Sequence, residues 1–246
     1  MKRTLLHKTL IATGLLFVVA YFVFSVCFFT SKKTEVICNR LEINFIHNNI
    51  NLIDENGIEK ILMEKRLYPV GKKLNEIRTE AIEKILIENE MIKSVECYAT
   101  PSGIIYIQVK QRTPKFRVIG SENYYVGTDK KKIKVSTNYT AYLPVVSGDV
   151  SFEMATGELF HFISFLEKNS FWNAQIQQIH VRSDKKIELV PRVGESIILL
   201  GTLDNYPSKL EKLKKLYMKA FNEIGWNRYK TIDLQYKGQI VCTRID

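Results

Sequence analysis

The sequence has few of the residues that build disulfide frameworks and metal centres. Of its 246 residues, four are cysteine and four are histidine. The cysteines form no C-x-x-C pair; they are Cys27, Cys38, Cys97 and Cys242. Because Cys27 lies within an apolar run, an odd number remains outside it. Buried free thiols are therefore a better prediction than a disulfide framework or a zinc site, although one disulfide stays open.

Motifs of the common enzyme classes are also missing. The histidines show no H-E-x-x-H spacing, and there is neither a P-loop nor a G-x-G-x-x-G string. The string around Ser196 lacks the second glycine of a nucleophile elbow. Asp129, followed by three lysines, fits a solvated hairpin turn better than a phosphate site. The sequence thus predicts no enzyme, no cofactor, no metal and no small-molecule substrate.

Positive charge is in excess but is not concentrated in one stretch. The formal net charge is +10, and part of it flanks the apolar run near the amino terminus. A spread excess is typical of a protein that contacts anionic surfaces and argues against a nucleic-acid groove. The lysines of the predicted helix 206–224 fit a solvated outer face better than a membrane-surface patch, which stays open.

The longest apolar run extends from Leu10 to Phe29 without a charged residue. Twenty helical residues span about 30 Å, the thickness of the hydrocarbon core of a bilayer. We therefore predict a transmembrane helix at 10–30, preceded by a cytoplasmic tail at 1–9 that carries basic residues. The alternative is a cleaved signal peptide, but the run is long for one and lacks a cleavage site with small residues.

The following segment, 36–112, predicts a small domain of β-α-α-β-β order. A strand-like pattern at 36–47 precedes a helix capped by Asp54, and a second helix covers about 75–89. Two strands, 92–99 and 103–111, flank a turn at 100–103. Two amphipathic helices would bury their apolar stripes on one face of the small sheet.

The remainder, 113–246, predicts a mixed β-rich domain with two helices. Short strands are predicted at 115–119, 124–127, 132–135, 143–146, 176–182, 186–190 and 195–200, and helices at 152–168 and 206–224. The chain closes with strands at 231–236 and 239–245. A last strand at a sheet edge is able to add a strand from a partner, whereas Lys237 and Arg244 would be edge-protecting charges under the alternative interpretation.

Several strings, in this order, resemble the FtsQ/DivIB family of bacterial division proteins. The β-α-α-β-β segment is similar to the family's POTRA domain, and residues 109–114 resemble its V-x-E-R-x-P junction, with Gln111 in place of the usual acid. Three further strings resemble family elements: residues 123–129, the L-P-x-[VI]-x-G string at 143–148, and the G…KL start of the later helix. Residues 231–241 resemble the closing D-L-R-Y element, with Gln235 in place of arginine.

The resemblance implies a non-enzymatic scaffold in the inner (cytoplasmic) membrane at the division septum, with its carboxyl-terminal region outside the cytoplasm. Its implied partners are FtsB/DivIC-type and FtsL-type coiled-coil membrane proteins, without nucleic acid. It further implies that a partner strand is added at Tyr236, Lys237, Gly238, Gln239, Ile240, Val241 and Cys242. The departures at Gln111 and Gln235 put in question any ion pair that the family makes there.

Two other classes remain as alternatives to a scaffold. A membrane-anchored cell-wall hydrolase would need convergent acids, or a nucleophile with a base, and the sequence offers no such set. An envelope assembly factor of POTRA type would normally carry repeated POTRA units, and only one such segment is present.

Overall fold

The computed structural model describes residues 14–26, 36–46, 51–136, 142–221, 223 and 225–245. The described part of helix α1 covers residues 14–26 and exposes large apolar side chains such as Leu16 and Phe17. Among these ranges, no helix combines the length and apolar character that crossing a membrane requires. The predicted ends of the transmembrane segment, Leu10 and Phe29, lie outside the described residues, as does the tail 1–9.

A small three-stranded sheet with helices on one face forms the first part of the fold. Its elements are β1 (Arg40–Ile46), α2 (Glu55–Glu64), a 3₁₀ turn (Leu74–Glu76), α3 (Thr79–Ile87), β2 (Ile92–Ala99) and β3 (Ile104–Gln111). The strand order is β1-β3-β2, with β1 parallel and β2 antiparallel to β3. The predicted β-α-α-β-β order is confirmed.

Local chemistry explains where these two helices begin. The Asp54 side chain accepts a hydrogen bond from Gly57 N at 2.8 Å and so caps α2, as predicted. Helix α3 begins at Thr79 rather than near residue 75, because Ile77 and Arg78 are extended after the 3₁₀ turn. Alternate residues of β3, together with Ile92, Val95 and Cys97 of β2, are buried in a cluster with both helices, which gives this sheet its own core.

A nine-stranded sheet forms the second part. Its strands are β4 (Pro114–Ile119), β5 (Asn123–Gly127), β6 (Lys132–Lys134), β7 (Val145–Gly148), β8 (Ile176–Val181), β9 (Ile187–Pro191), β10 (Ile197–Gly201), β11 (Tyr229–Asp233) and β12 (Val241–Arg244). Their spatial order is β12-β11-β10-β9-β8-β7-β4-β5-β6. The pairs β4–β7, β7–β8 and β10–β11 are parallel and the other pairs are antiparallel.

The helices of this second part pack against one face of the large sheet. They are α4 (Phe152–Thr156), α5 (Glu158–Lys168), α6 (Ser170–Gln175) and α7 (Tyr206–Leu216), followed by a π-turn (Tyr217–Phe221). The main hydrophobic core lies between these helices and the inward-facing side chains of the strands. The predicted mixed α+β class with a β-rich carboxyl-terminal part is confirmed.

The prediction of only two helices in this part was wrong. The predicted helix 152–168 is interrupted at Gly157, whose φ of −96° and ψ of −109° are not helical. The short helix α6 was missed; the Asn169 side chain initiates it by accepting from Phe171 N and Trp172 N. Only the first part of the predicted helix 206–224 is an α-helix. It ends at Leu216, and the π-turn begins at Tyr217.

Candidate partner-binding site at the sheet edge

Strand β12 is the terminal strand of the large sheet. It pairs antiparallel with β11, with Ile232 opposite Cys242 and Asp233 opposite Val241. Within the described ranges, no strand pairs with the other side of β12. The backbone of β12 therefore presents one free edge.

Hydrogen bonding identifies which backbone groups face outward. Just beyond β12, Ile245 N donates to Arg228 O at 3.1 Å, so this N–H points toward the β11 side. Successive residues of a strand direct their N–H and C=O groups to opposite sides. The N–H and C=O groups of Arg244 and Cys242 therefore point away from β11, where a partner strand is able to reach them.

The predicted site residues lie partly in the loop that joins β11 and β12 and partly in β12 itself. Tyr236, Lys237, Gly238 and Gln239 are exposed in the loop that joins β11 and β12, and Gly238 has a φ of +83°. Ile240 is partly buried and packs against the main core. Of the predicted set, only Val241 and Cys242 lie in β12 itself.

Two residues of the edge strand were not among the predicted site residues. Thr243 and Arg244 complete β12 and are both exposed. The signal that identifies them is the register with β11, in which Thr243 lies opposite Thr231 and Arg244 opposite Tyr229. The predicted closing strand at 239–245 already contained both residues, and only their register with β11 required the fold.

An aromatic cluster lies beneath the edge strand. The ring of Tyr217 lies 5.2 Å from that of Phe221 and 5.0 Å from that of Trp226, and Phe221 stacks on Tyr229 at 5.9 Å. Cys242 is partly buried against the same core, and burial raises the pKa of its thiol. Burial, with a smaller contribution from Cys242, also raises the pKa of Tyr217. These groups are neutral near pH 7 and form an apolar support for β12.

The remaining chemistry of the described residues is sparse. Across the described ranges, no group of three or more histidine, cysteine or acidic side chains is arranged to hold a metal ion. One serine–histidine contact exists on the helix-free face of the large sheet, where Ser147 Oγ lies 3.0 Å from His180 Nδ1. The same Oγ accepts from Gln178 Nε2 at 2.7 Å. This contact joins neighbouring strands β7 and β8.

Both parts of the fold match known protein families. Residues 36–110 match a family described as a POTRA-like domain. Residues 113–243, more than half of the chain, match the family described as FtsQ/DivIB, C-terminal related. No curated protein matches the chain. The chain therefore belongs to the FtsQ/DivIB family.

Proposed function

We propose that this protein is a bitopic membrane scaffold that docks FtsB/DivIC-type and FtsL-type proteins through the free edge of β12. Membership of the FtsQ/DivIB family implies that the chain is a cell-division scaffold. The proposal adds the partners, the site and the manner of binding. In it, the POTRA-like region, residues 36–110, serves recruitment, and the large sheet holds the partner.

The observation that carries the proposal is the exposed backbone of β12. An extended partner segment that pairs with this edge gains main-chain hydrogen bonds, which provide affinity without requiring a particular sequence. Selectivity would come from the alternating side chains of the strand. Val241 is 42% exposed and offers an apolar contact, whereas Arg244 offers a positive charge at the far end of β12.

The second part of the proposal is a membrane anchor at residues 10–29 with the amino terminus in the cytoplasm. Its support is the uncharged apolar run in the sequence and the helical conformation of residues 14–26. Confinement to a membrane raises the effective concentration of partners that are anchored in the same membrane. A modest edge-strand affinity would then suffice for stable assembly.

A proline substitution, with a matched control at the same position, tests whether the partner binds the free edge of β12. Arg244→Pro removes an outward N–H and leaves the β11 ladder intact, whereas Arg244→Ala removes the charge and keeps the N–H. We expect Arg244→Pro in the full-length protein to raise the Kd for a DivIC-type partner by about tenfold, since one lost hydrogen bond and a disturbed strand cost about 1.4 kcal/mol. Arg244→Ala should change the Kd by less than about threefold, as expected for an exposed charge.

A side-chain variant tests the apolar part of the same edge. Val241→Asp places a charge on the outer strand and should also weaken binding, while circular dichroism remains that of the unaltered protein. Equal affinities for the parent, Arg244→Pro and Val241→Asp proteins, all folded, would rule out β12 as the docking edge. Hydrolysis of cell-wall material by the purified full-length protein would instead favour an envelope enzyme.

A further inference from the structure

The side chain of Gln111 is bound to the backbone of the loop that precedes α2. Gln111 is the last residue of β3 and is buried. Its Oε1 accepts from Leu52 N at 2.8 Å and from Ile53 N at 3.2 Å, and its Nε2 donates to Ile53 O at 3.2 Å. A glutamate here would accept both bonds, but its ionised carboxylate has no proton to donate to Ile53 O. The amide therefore matches this loop better than the acid does.

Those hydrogen bonds fix the position of Leu52, whose side chain is not part of the core of the small sheet. Leu52 is only 2% exposed and packs with Tyr125 of β5 and Ile133 of β6, both of which are fully buried. Met91, the residue just before β2, packs against the same cluster. An apolar side chain of the POTRA-like region is thus part of a core that belongs to the large sheet.

Backbone and charged contacts tie the connecting segment to both sides. Arg112 N donates to Met91 O at 2.8 Å, and Thr128 N donates to Thr113 O at 2.8 Å. The Arg112 guanidinium pairs with Asp129 in the β5–β6 turn. The connection is therefore held on the POTRA-like side by Met91 and on the other side by the β5–β6 hairpin.

We infer that Gln111 and Leu52 lock the POTRA-like region and the large sheet into one rigid body. Gln111 is then a positioning residue, which acts through Leu52 on the orientation of the whole large sheet. Strand β5 lies near one end of that sheet and β12 at the other, seven strand spacings or roughly 35 Å away. We call the contact of Leu52 with Tyr125 and Ile133 the joint. At this distance a small rotation at the joint displaces β12 by several ångströms relative to the POTRA-like region.

Distance measurements between two spin labels test this rigidity. One label replaces Lys84 on α3 and the other replaces Lys215 on α7, both of which are exposed. The full-length chain is used with its native cysteines changed to alanine, provided that its circular dichroism is unaltered. We expect one narrow distance distribution for this parent. We expect it to become at least twice as broad in Leu52→Ala and in Gln111→Leu.

A core variant away from the joint separates rigidity from general stability. Ile82→Ala removes a buried side chain of α3 and should lower the melting temperature while the distance distribution stays narrow. A milder variant, Gln111→Glu, should broaden the distribution less than Gln111→Leu because it keeps both acceptor contacts. A broad distribution in the parent, or a narrow one in folded Leu52→Ala and Gln111→Leu, would overturn the inference.

Discussion

Gly201 and Gln235 are in direct contact where β10 ends and the chain leaves β11. A Cβ on Gly201 would lie 2.7 Å from Gln235 Cγ, and Gly201 has a φ of +75°. The same corner is tied to α7, because Lys209 Nζ donates to Leu200 O at 3.0 Å and to Thr202 O at 2.8 Å. Burial lowers the pKa of this lysine. Gly201 is thus required both by its backbone conformation and by its neighbour.

We predict that Gly201→Ala destabilises the large sheet by about 2 kcal/mol, since a left-handed backbone costs a non-glycine residue about 1–2 kcal/mol and the contact adds to it. Gly225→Ala is the control, because Gly225 has a φ of +88° and no atom within 4 Å of the added Cβ. Urea denaturation followed by tryptophan fluorescence reports on this part of the fold, since the two tryptophans are Trp172 in α6 and Trp226 just before β11, and both pack in the main core beneath the large sheet.

The double variant Gly201→Ala/Gln235→Ala separates the two causes. The double variant should recover the part of the unfolding free energy that Gly201→Ala loses through the contact with Gln235. The loss that remains should equal that of Gly225→Ala. If Gly201→Ala were no more destabilising than Gly225→Ala, the contact with Gln235 would not matter for stability.

Elements with a strong apolar period were predicted well from the sequence. Strand β2 has the predicted bounds of 92–99: Val95 and Cys97 alternate with exposed residues, and a turn follows the strand. The break at Gly157 was missed because the apolar stripe continues through it, from Ala155 to Leu159. The placement of β7 between β4 and β8 also has no local signal, because parallel pairing depends on contacts between distant segments.

At the candidate site, the end of β11 was predicted three residues too late. The Asp233 side chain accepts from Gln235 N at 2.8 Å, and this local turn replaces the strand ladder after Asp233. The loop therefore starts earlier, and β12 begins at Val241 rather than at Gln239. The role of Gln111 was equally invisible, because its partners at 52 and 53 lie nearly sixty residues away.

Cys97 links the stability of the small sheet to pH. Burial, with smaller contributions from Glu83 and Glu80, raises the pKa of its thiol to about 12 from the ordinary value of 9.0. The thiol therefore stays protonated in the folded chain at a pH where the unfolded chain loses the proton. The stabilisation linked to Cys97 is complete below pH 9 and is lost as the pH rises from 9 toward 12.

We therefore predict that Cys97→Ala makes the stability of the small sheet less dependent on pH above 9. Hydrogen exchange of amides in β2 and β3, measured in the full-length chain at several alkaline pH values, gives this dependence. The matched control is Val95→Ala on the same strand, which removes a buried side chain without a titrating group. It should lower stability but keep the slope of the parent, and equal slopes in all three proteins would contradict the linkage.

The proposed anchor makes a separate prediction about the intact protein in cells. If the proposal holds, an uncleaved helix at 10–29 would be held by the burial of twenty apolar and small residues in the bilayer, and this attachment would not depend on charge. Alkaline carbonate disrupts attachment through surface charge but leaves a spanning helix in place. We therefore expect the full-length chain to stay in the membrane pellet after extraction. We expect the double variant Val18→Arg/Val19→Arg to move to the supernatant. A shortened chain in the supernatant from the unaltered protein would instead identify residues 10–29 as a cleaved signal peptide.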